Sequence, residues 1–178
     1  LACGCSDGVV RTWTLQDGAA KQDGAAKQDG TAKPAHAVMT LPLEVAVVAY
    51  TSDGRWLVAA GNDGSVRLRE NPGNPAGQDR LLGADDLHAV SLALSADGRR
   101  LAVADLDGTV RIWRLDDPAG PTQAAHIRSP AGTLEQVVLS DDGSKLLVST
   151  TSSAVRLWDL QPTLRGPVAL QKSSAGIR

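Results

Sequence analysis

One phrase recurs four times along the chain. It reads SDGVVRTW at 6–13, NDGSVRLR at 62–69, LDGTVRIW at 106–113 and SSAVRLW at 152–158. Each copy has an arginine in register, at Arg11, Arg67, Arg111 and Arg156, with spacings of 56, 44 and 45 residues. A second phrase precedes the later three copies: TSDGRWLVAAG at 51–61, LSADGRRLAVAD at 94–105 and LSDDGSKLLVSTT at 139–151. Its glycines, Gly54, Gly98 and Gly143, lie 44 and 45 residues apart. Two independent anchors with one period establish a structural repeat, and a repeated unit must bury its apolar faces against its neighbours.

Composition says what the unit is made of. The chain has 17 Asp against 3 Glu, and nine of the Asp precede Gly. Asp-Gly is turn chemistry: glycine accepts positive φ, and aspartate bonds to main-chain N–H groups two residues on. Glutamate, the acid that helices favour, is nearly absent. Short strands joined by tight turns are therefore expected. In the third period these are Leu87–Ser95, Arg100–Ala104, Thr109–Leu115 and a strand within Thr122–Ile127. Strands of this length and spacing imply an all-β protein. Runs apolar on both sides, such as Val45-Ala46-Val47-Val48-Ala49-Tyr50, imply sheets sandwiched between two neighbours, as in a propeller.

With this period, four strands per unit and the phrase DG-T/S-V-R-x-W, the chain resembles the WD-repeat (Trp-Asp repeat) β-propeller family of bacterial type. The resemblance implies antiparallel four-stranded blades. An incomplete first blade at 1–42 would lack its innermost strand and carry the low-complexity insert DGAAKQDGAAKQDGTAK at 17–33. Blades at 43–86, 87–128 and 129–172 follow, then a tail at 173–178. In the first blade, Leu1–Ser6, Val9–Leu15 and Ala37–Leu41 read as second, third and fourth strands. Pro167–Lys172 reads as the last outer strand of the fourth. Four blades leave an open arc, so the chain reads as a fragment whose first partners are the remaining blades of the same propeller.

Family repeats often carry a Gly-His pair whose His joins the turn Asp and the Trp in a hydrogen-bond network. Here the matching positions hold Thr40-Leu41, Ala84-Asp85 and Ser129-Pro130. The turn acids Asp7, Asp63 and Asp107 are instead expected to hold turn N–H groups. With Trp13, Trp113 and Trp158 they read as structural anchors of the blades. The recurrent arginines read as stems covering apolar surface. Trp56 breaks the period, its counterparts being Arg100 and Lys145, which makes it a better contact candidate than the other tryptophans, with a half-buried sheet aromatic as the favoured reading.

Several classes of function are disfavoured. Net charge is −2, with no basic excess to neutralise phosphates, so no nucleic acid is expected. No apolar run approaches membrane-spanning length, so no membrane partner is expected. Cys3 and Cys5 read as small blade residues, because no further soft ligands cluster nearby. No metal or cofactor is expected. The family's usual binding face offers Glu44, Asp63, Asp85, Asp86, His88, Asp105, Asp107, Leu134 and Glu135. Of these, Glu44, Asp85, Asp86, His88, Asp105 and Glu135 form the candidate partner-binding rim. An acidic rim favours a partner with some basic character. The resemblance implies a non-catalytic, cytoplasmic scaffold for protein interaction or ligand sensing, at the C-terminal part of a larger signalling protein. The alternative is a hydrolase-type propeller enzyme with its site at the central channel, for which Glu44, His88 and Glu135 are the placed residues.

Overall fold

The computed structural model describes residues 2–12, 36–74, 77–82, 87–128, 133–152, 154–160 and 165–170. The insert at 17–33, Trp13, Asp85, Asp86 and the tail lie outside them. The described residues form four antiparallel sheets in chain order. The first holds β1 (Ala2–Gly4), β2 (Val9–Thr12) and β3 (His36–Thr40). The second holds β4 (Val45–Tyr50), β5 (Trp56–Gly61), β6 (Val66–Glu70) and β7 (Asp79–Leu81). The third holds β8 (Ala89–Leu94), β9 (Arg100–Asp105), β10 (Thr109–Arg114) and β11 (Thr122–Arg128). The fourth holds β12 (Leu134–Leu139), β13 (Lys145–Thr150), β14 (Val155–Asp159) and β15 (Arg165–Leu170). The last strand starts two residues earlier than the sequence suggests, because Arg165 pairs with Asp159 across a bulge that follows Leu157.

Two kinds of turn set the strand ends, and each uses Asp-Gly in its own way. Between first and second strands, Asp53, Asp97 and Asp142 accept the N–H groups of Arg55, Arg99 and Ser144 at 2.9, 3.0 and 2.9 Å. A hydroxyl two residues before each acid caps the same turn. Thr51, Ser95 and Ser140 accept from the amides of Trp56, Arg100 and Lys145 at 2.8, 2.9 and 2.9 Å. Between second and third strands, Asp7, Asp63 and Asp107 accept from Val9, Ser65 and Thr109 at 3.0, 3.2 and 2.8 Å. The turn acids thus satisfy donors that the ladder cannot reach. In the fourth sheet Ser152 takes this position, and its hydroxyl meets that of Thr150 at 2.9 Å.

Alternation along the second strands builds the core. On β5, Trp56, Val58 and Ala60 belong to the apolar cluster shared with the third sheet, and Leu57 and Ala59 to the one shared with the first. On β9, Leu101 and Val103 face the second sheet, and Ala102 and Ala104 the fourth. Successive side chains of a strand point to opposite faces, so one strand serves two interfaces. Burying a Leu or Val contributes roughly 1.5–3 kcal/mol, so these strands are the main cement between sheets. The inner strand β4 packs on β8, and β8 on β12. The four sheets therefore form an open arc, the architecture of a partial β-propeller.

Among the described residues, the arc leaves one apolar row uncovered. Val138, Leu147 and Leu157 are cross-strand partners on β12, β13 and β14. Ala93, Ala102 and Ile112 hold the equivalent row in the third sheet, where the fourth sheet covers them. Val138 is 46% exposed, and Leu147 and Leu157 are half-buried.

Candidate functional site

The site is built at the end of the arc where the inner strands begin and the β5–β6 and β9–β10 turns close. Three equal main-chain bonds organise it. The amides of Asn62, Leu106 and Thr151 donate to the carbonyls of Glu44, His88 and Thr133 at 2.9, 3.0 and 3.0 Å. Glu44, His88 and Thr133 thus occupy one position in three successive sheets. Each inner strand then bulges, between Val45 and Val47, Ala89 and Ser91, and Leu134 and Gln136. The extra residue is Ala46, Val90 and Glu135 in turn. Bulges re-aim side chains at strand ends, and only in the fourth sheet is the bulged residue charged.

Glu44, His88 and Glu135 are exposed. The Glu44 carboxylate accepts from Asn62 Nδ2 at 3.2 Å. Asp63 is half-buried, its Oδ1 held by the Ser65 hydroxyl at 2.8 Å, and Asp107 is exposed. Two of the residues proposed for this face belong elsewhere. Asp105 is 2% exposed, and its carboxylate is spent on Arg111 Nη1 at 2.5 Å and on the His88 amide at 3.3 Å. It is an interior ion-pair residue rather than a rim residue, because the last position of β9 faces the neighbouring sheet. Leu134 is buried at the start of β12. Sequence reasoning also missed two residues here. Leu43 is 54% and Leu106 60% exposed, among the acids of this same face. Both follow polar turn logic poorly, which was the available signal.

No hydrogen bond or ion pair joins Glu44, His88 and Glu135 among the described residues. Nor do the described residues contain a group of three His, Cys, Asp or Glu suited to a metal ion. Cys3 and Cys5 are free, and the Cys3 thiol donates to the Gly4 carbonyl at 3.3 Å. Glu44 and Asp63 stand on the second sheet, His88 and Asp107 on the third and Glu135 on the fourth, so the face displays charge from three sheets.

The recurrent arginines sit at the centre of each third strand, opposite Cys3, Ala59, Val103 and Val148. Their charge is handled differently in each sheet. Arg11 bonds Asp7 at 2.6 Å, and this contact, first of all, raises the Arg11 pKa and lowers that of Asp7. Arg111 takes Asp105 instead. Arg67 Nε is buried with no hydrogen-bond partner among the described residues. One arginine per interface cannot form an anion-binding ring. Trp113 and Trp158 are each 3% exposed, in the cores of the second-to-third and third-to-fourth interfaces. Trp56 is 2% exposed in the former, so it is a core residue and not a surface contact.

The family described as WD domain, G-beta repeat matches residues 35–69 and 82–114. Among solved structures it resembles the Cps50 (Swd1) beta-propeller domain of Myceliophteria thermophila, with a TM-score of 0.60 and 19% identity. The match covers 71% of this chain and 39% of that one. At that identity the likeness establishes the fold alone. No curated protein matches the sequence. WD40 propellers are in general non-catalytic scaffolds that bind protein partners.

Proposed function

We propose that this chain is part of a non-catalytic WD40 scaffold that docks a protein through the face carrying Leu43, Glu44, His88, Leu106 and Glu135. The observation that carries the reading is the pair of exposed leucines set among acids. An apolar anchor bordered by charge is the anatomy of a protein-binding patch. The acids select a partner segment that is apolar with basic flanks, and they repel nucleic-acid phosphates. Rigid display of loops on stacked sheets, not bond chemistry, is the mechanism.

The scaffold reading extends to the free row of Val138, Leu147 and Leu157. A further blade of the same propeller covers it, as the fourth sheet covers the equivalent row of the third. We place the whole in the cytoplasm, as the C-terminal part of a larger signalling chain.

The test is binding of a panel of short peptides that pair a Leu or Phe with Lys or Arg, against matched acidic and neutral versions. Binding confined to the basic-apolar members, and lost in a Leu43→Ser/Leu106→Ser double variant with unchanged far-UV circular dichroism, supports the reading. Equal binding by the double variant sinks it. Turnover in a hydrolase screen that disappears in Glu135→Ala would replace it with the enzyme.

A further inference from the structure

The turn that precedes each repeat arginine is built to one register. The amides of Cys5, Gly61 and Thr150 donate to the carbonyls of Val9, Ser65 and Ala154 at 3.1, 2.9 and 3.0 Å, closing the same loop in the first, second and fourth sheets. Two positions before the arginine recur with it. The fourth residue back is Asp7, Asp63, Asp107 and Ser152, and the sixth back is Cys5, Gly61, Asp105 and Thr150. Either position is able to hold the guanidinium. In the first sheet the nearer one does: Asp7 accepts from Arg11 Nη1 at 3.1 Å and from Nη2 at 2.6 Å. In the third sheet the farther one does: Asp105 takes Arg111 and leaves Asp107 to the Thr109 amide. In the second sheet Asp63 is held by Ser65 instead.

The fourth sheet keeps the arginine and has no acid at either position. Arg156 is half-buried, and its side chain forms no ion pair or hydrogen bond among the described residues. Hydroxyls stand where the other sheets carry acids. Val148 is the cross-strand partner of Arg156, and Thr150, two residues on, shares its face. Thr150 is 2% exposed, and its Oγ1 meets the Ala154 carbonyl at 3.3 Å and Ser152 Oγ at 2.9 Å. That contact brings the Ser152 oxygen to the side of the sheet on which Arg156 lies. Ser152 itself is exposed, in the turn. A guanidinium drawn partly out of water without a counter-charge gives up hydration for nothing in return. The turn therefore presents an accessible hydroxyl at the acid position of the repeat, beside a cation that lacks its acid.

We propose that Ser152 is a phosphorylation site whose phosphate is held by Arg156. A phosphoserine carries about −1.5 to −2 charges at neutral pH and three acceptor oxygens, so it supplies to Arg156 what Asp7 supplies to Arg11. Guanidinium forks match phosphate oxygens in shape and charge. Burial closes Thr150 to an enzyme, which leaves Ser152 as the accessible hydroxyl of the pair. The co-reactants are ATP and a serine/threonine protein kinase. The bond from Ser152 Oγ to the γ-phosphorus forms, the bond from that phosphorus to the bridging oxygen breaks, ADP leaves, and the hydroxyl proton passes to the base of the kinase. The proposal goes beyond the scaffold reading and does not depend on it.

The experiment has two parts. The chain is isolated from its own cells and its phosphate is mapped by fragmentation mass spectrometry. The full chain with phosphoserine installed at 152 by codon suppression is then compared with the unmodified chain, each with Arg156 and with Arg156→Met. Phosphate is found at Ser152, the phosphoserine raises the melting temperature by about 2–4 °C, and Arg156→Met abolishes that rise. A ³¹P NMR titration gives a readout that a merely structural serine would not move. The second ionisation of the phosphate, near pH 6 in a free phosphoserine, shifts down beside Arg156 and returns in Arg156→Met. Should Arg156→Met fail to fold, the titration with Arg156 in place decides alone. No phosphate at Ser152 in the native material, phosphate at Thr151 in its stead, or an unshifted titration overturns the proposal. Inorganic phosphate that stabilises the unmodified chain but not Arg156→Met also overturns it, in favour of a free-anion site. No arm measures peptide docking at Leu43 and Leu106, so failure of that reading leaves this result intact.

Discussion

Arg111 reaches from β10 to the buried carboxylate of Asp105 on β9, Nη1 to Oδ2 2.5 Å, with the acid side chain 3% and the arginine side chain 21% exposed. The same repeat position finds Asp7 in the first sheet. A partly buried pair of this kind tolerates removal of both partners far better than removal of one. Asp105→Ala is therefore expected to lower stability by about 2–3 kcal/mol, mostly by stranding Arg111. Asp105→Ala/Arg111→Met should recover much of that loss. Urea midpoints of the wild type, both single variants and the double variant form the cycle that checks it. A double variant as unstable as the sum of the singles would show that the two residues are not coupled.

Leu57 and Val138 test the arc itself. Leu57 is fully buried between the first and second sheets, and Leu57→Ala should cost about 2–5 kcal/mol through lost transfer energy and a cavity. Val138 is 46% exposed on the free face of the fourth sheet, so Val138→Ser should shift stability by no more than about 0.5 kcal/mol. It should also reduce self-association, read by light scattering. A large stability loss from Val138→Ser would mean that another surface already covers this row.

Two turn glycines with nearly equal backbone angles should respond unequally to alanine. Gly8 has φ of 78° and Gly108 of 84°. A Cβ at Gly108 meets nothing within 4 Å, so Gly108→Ala costs only the left-handed strain, about 1–2 kcal/mol. A Cβ at Gly8 would lie 2.5 Å from the Leu41 carbonyl oxygen, which is backbone and cannot swing away. Gly8→Ala should therefore be clearly the more destabilising of the two in thermal melts, and similar melting temperatures would count against the close approach of β3 to this turn.

Acid should loosen the turns before it affects the core. The Ser140 hydroxyl first, then the Ser144 amide, pull the Asp142 pKa down to about 2. The Thr51 hydroxyl and Arg55 amide lower that of Asp53, and Arg11 that of Asp7. In each case the unfolded chain takes up its proton at higher pH than the folded chain does. The stabilisation is complete above the unfolded carboxylate range and is lost as pH falls from about 4 toward 2. Urea midpoints across this window should fall with pH, and less steeply in Asp142→Asn. An unchanged slope in that variant would remove Asp142 from the explanation.

Much of this structure was legible in the chain because its rules are local. The Asp-Gly pairs at Asp53, Asp97, Asp142, Asp7, Asp63 and Asp107 mark both kinds of hairpin, since a turn needs only positive φ and an acceptor two residues away. Apolar runs such as Val45–Tyr50, which forms β4, announced sheets with neighbours on either side. The strand order, the missing inner strand of the first sheet and the open arc follow from that repeat. What sequence could not weigh was which neighbour each side chain meets. Asp105 and Asp107 stand two residues apart and read alike, yet one is buried against Arg111 and the other is exposed, because only the first faces the adjoining sheet. Trp56 departs from the repeat and read as a half-buried sheet aromatic or a contact residue, and it is fully core, packed in one cluster with Trp113. The arginines share a register but not a partner, since their acids come from different positions in different sheets. That Leu43 and Leu106 stand exposed among the acids of one face is settled only once separate sheets are set side by side. Periodicity determined the unit and its turns, whereas burial and charge pairing, which depend on distances between units, were decided by the packing of sheet on sheet.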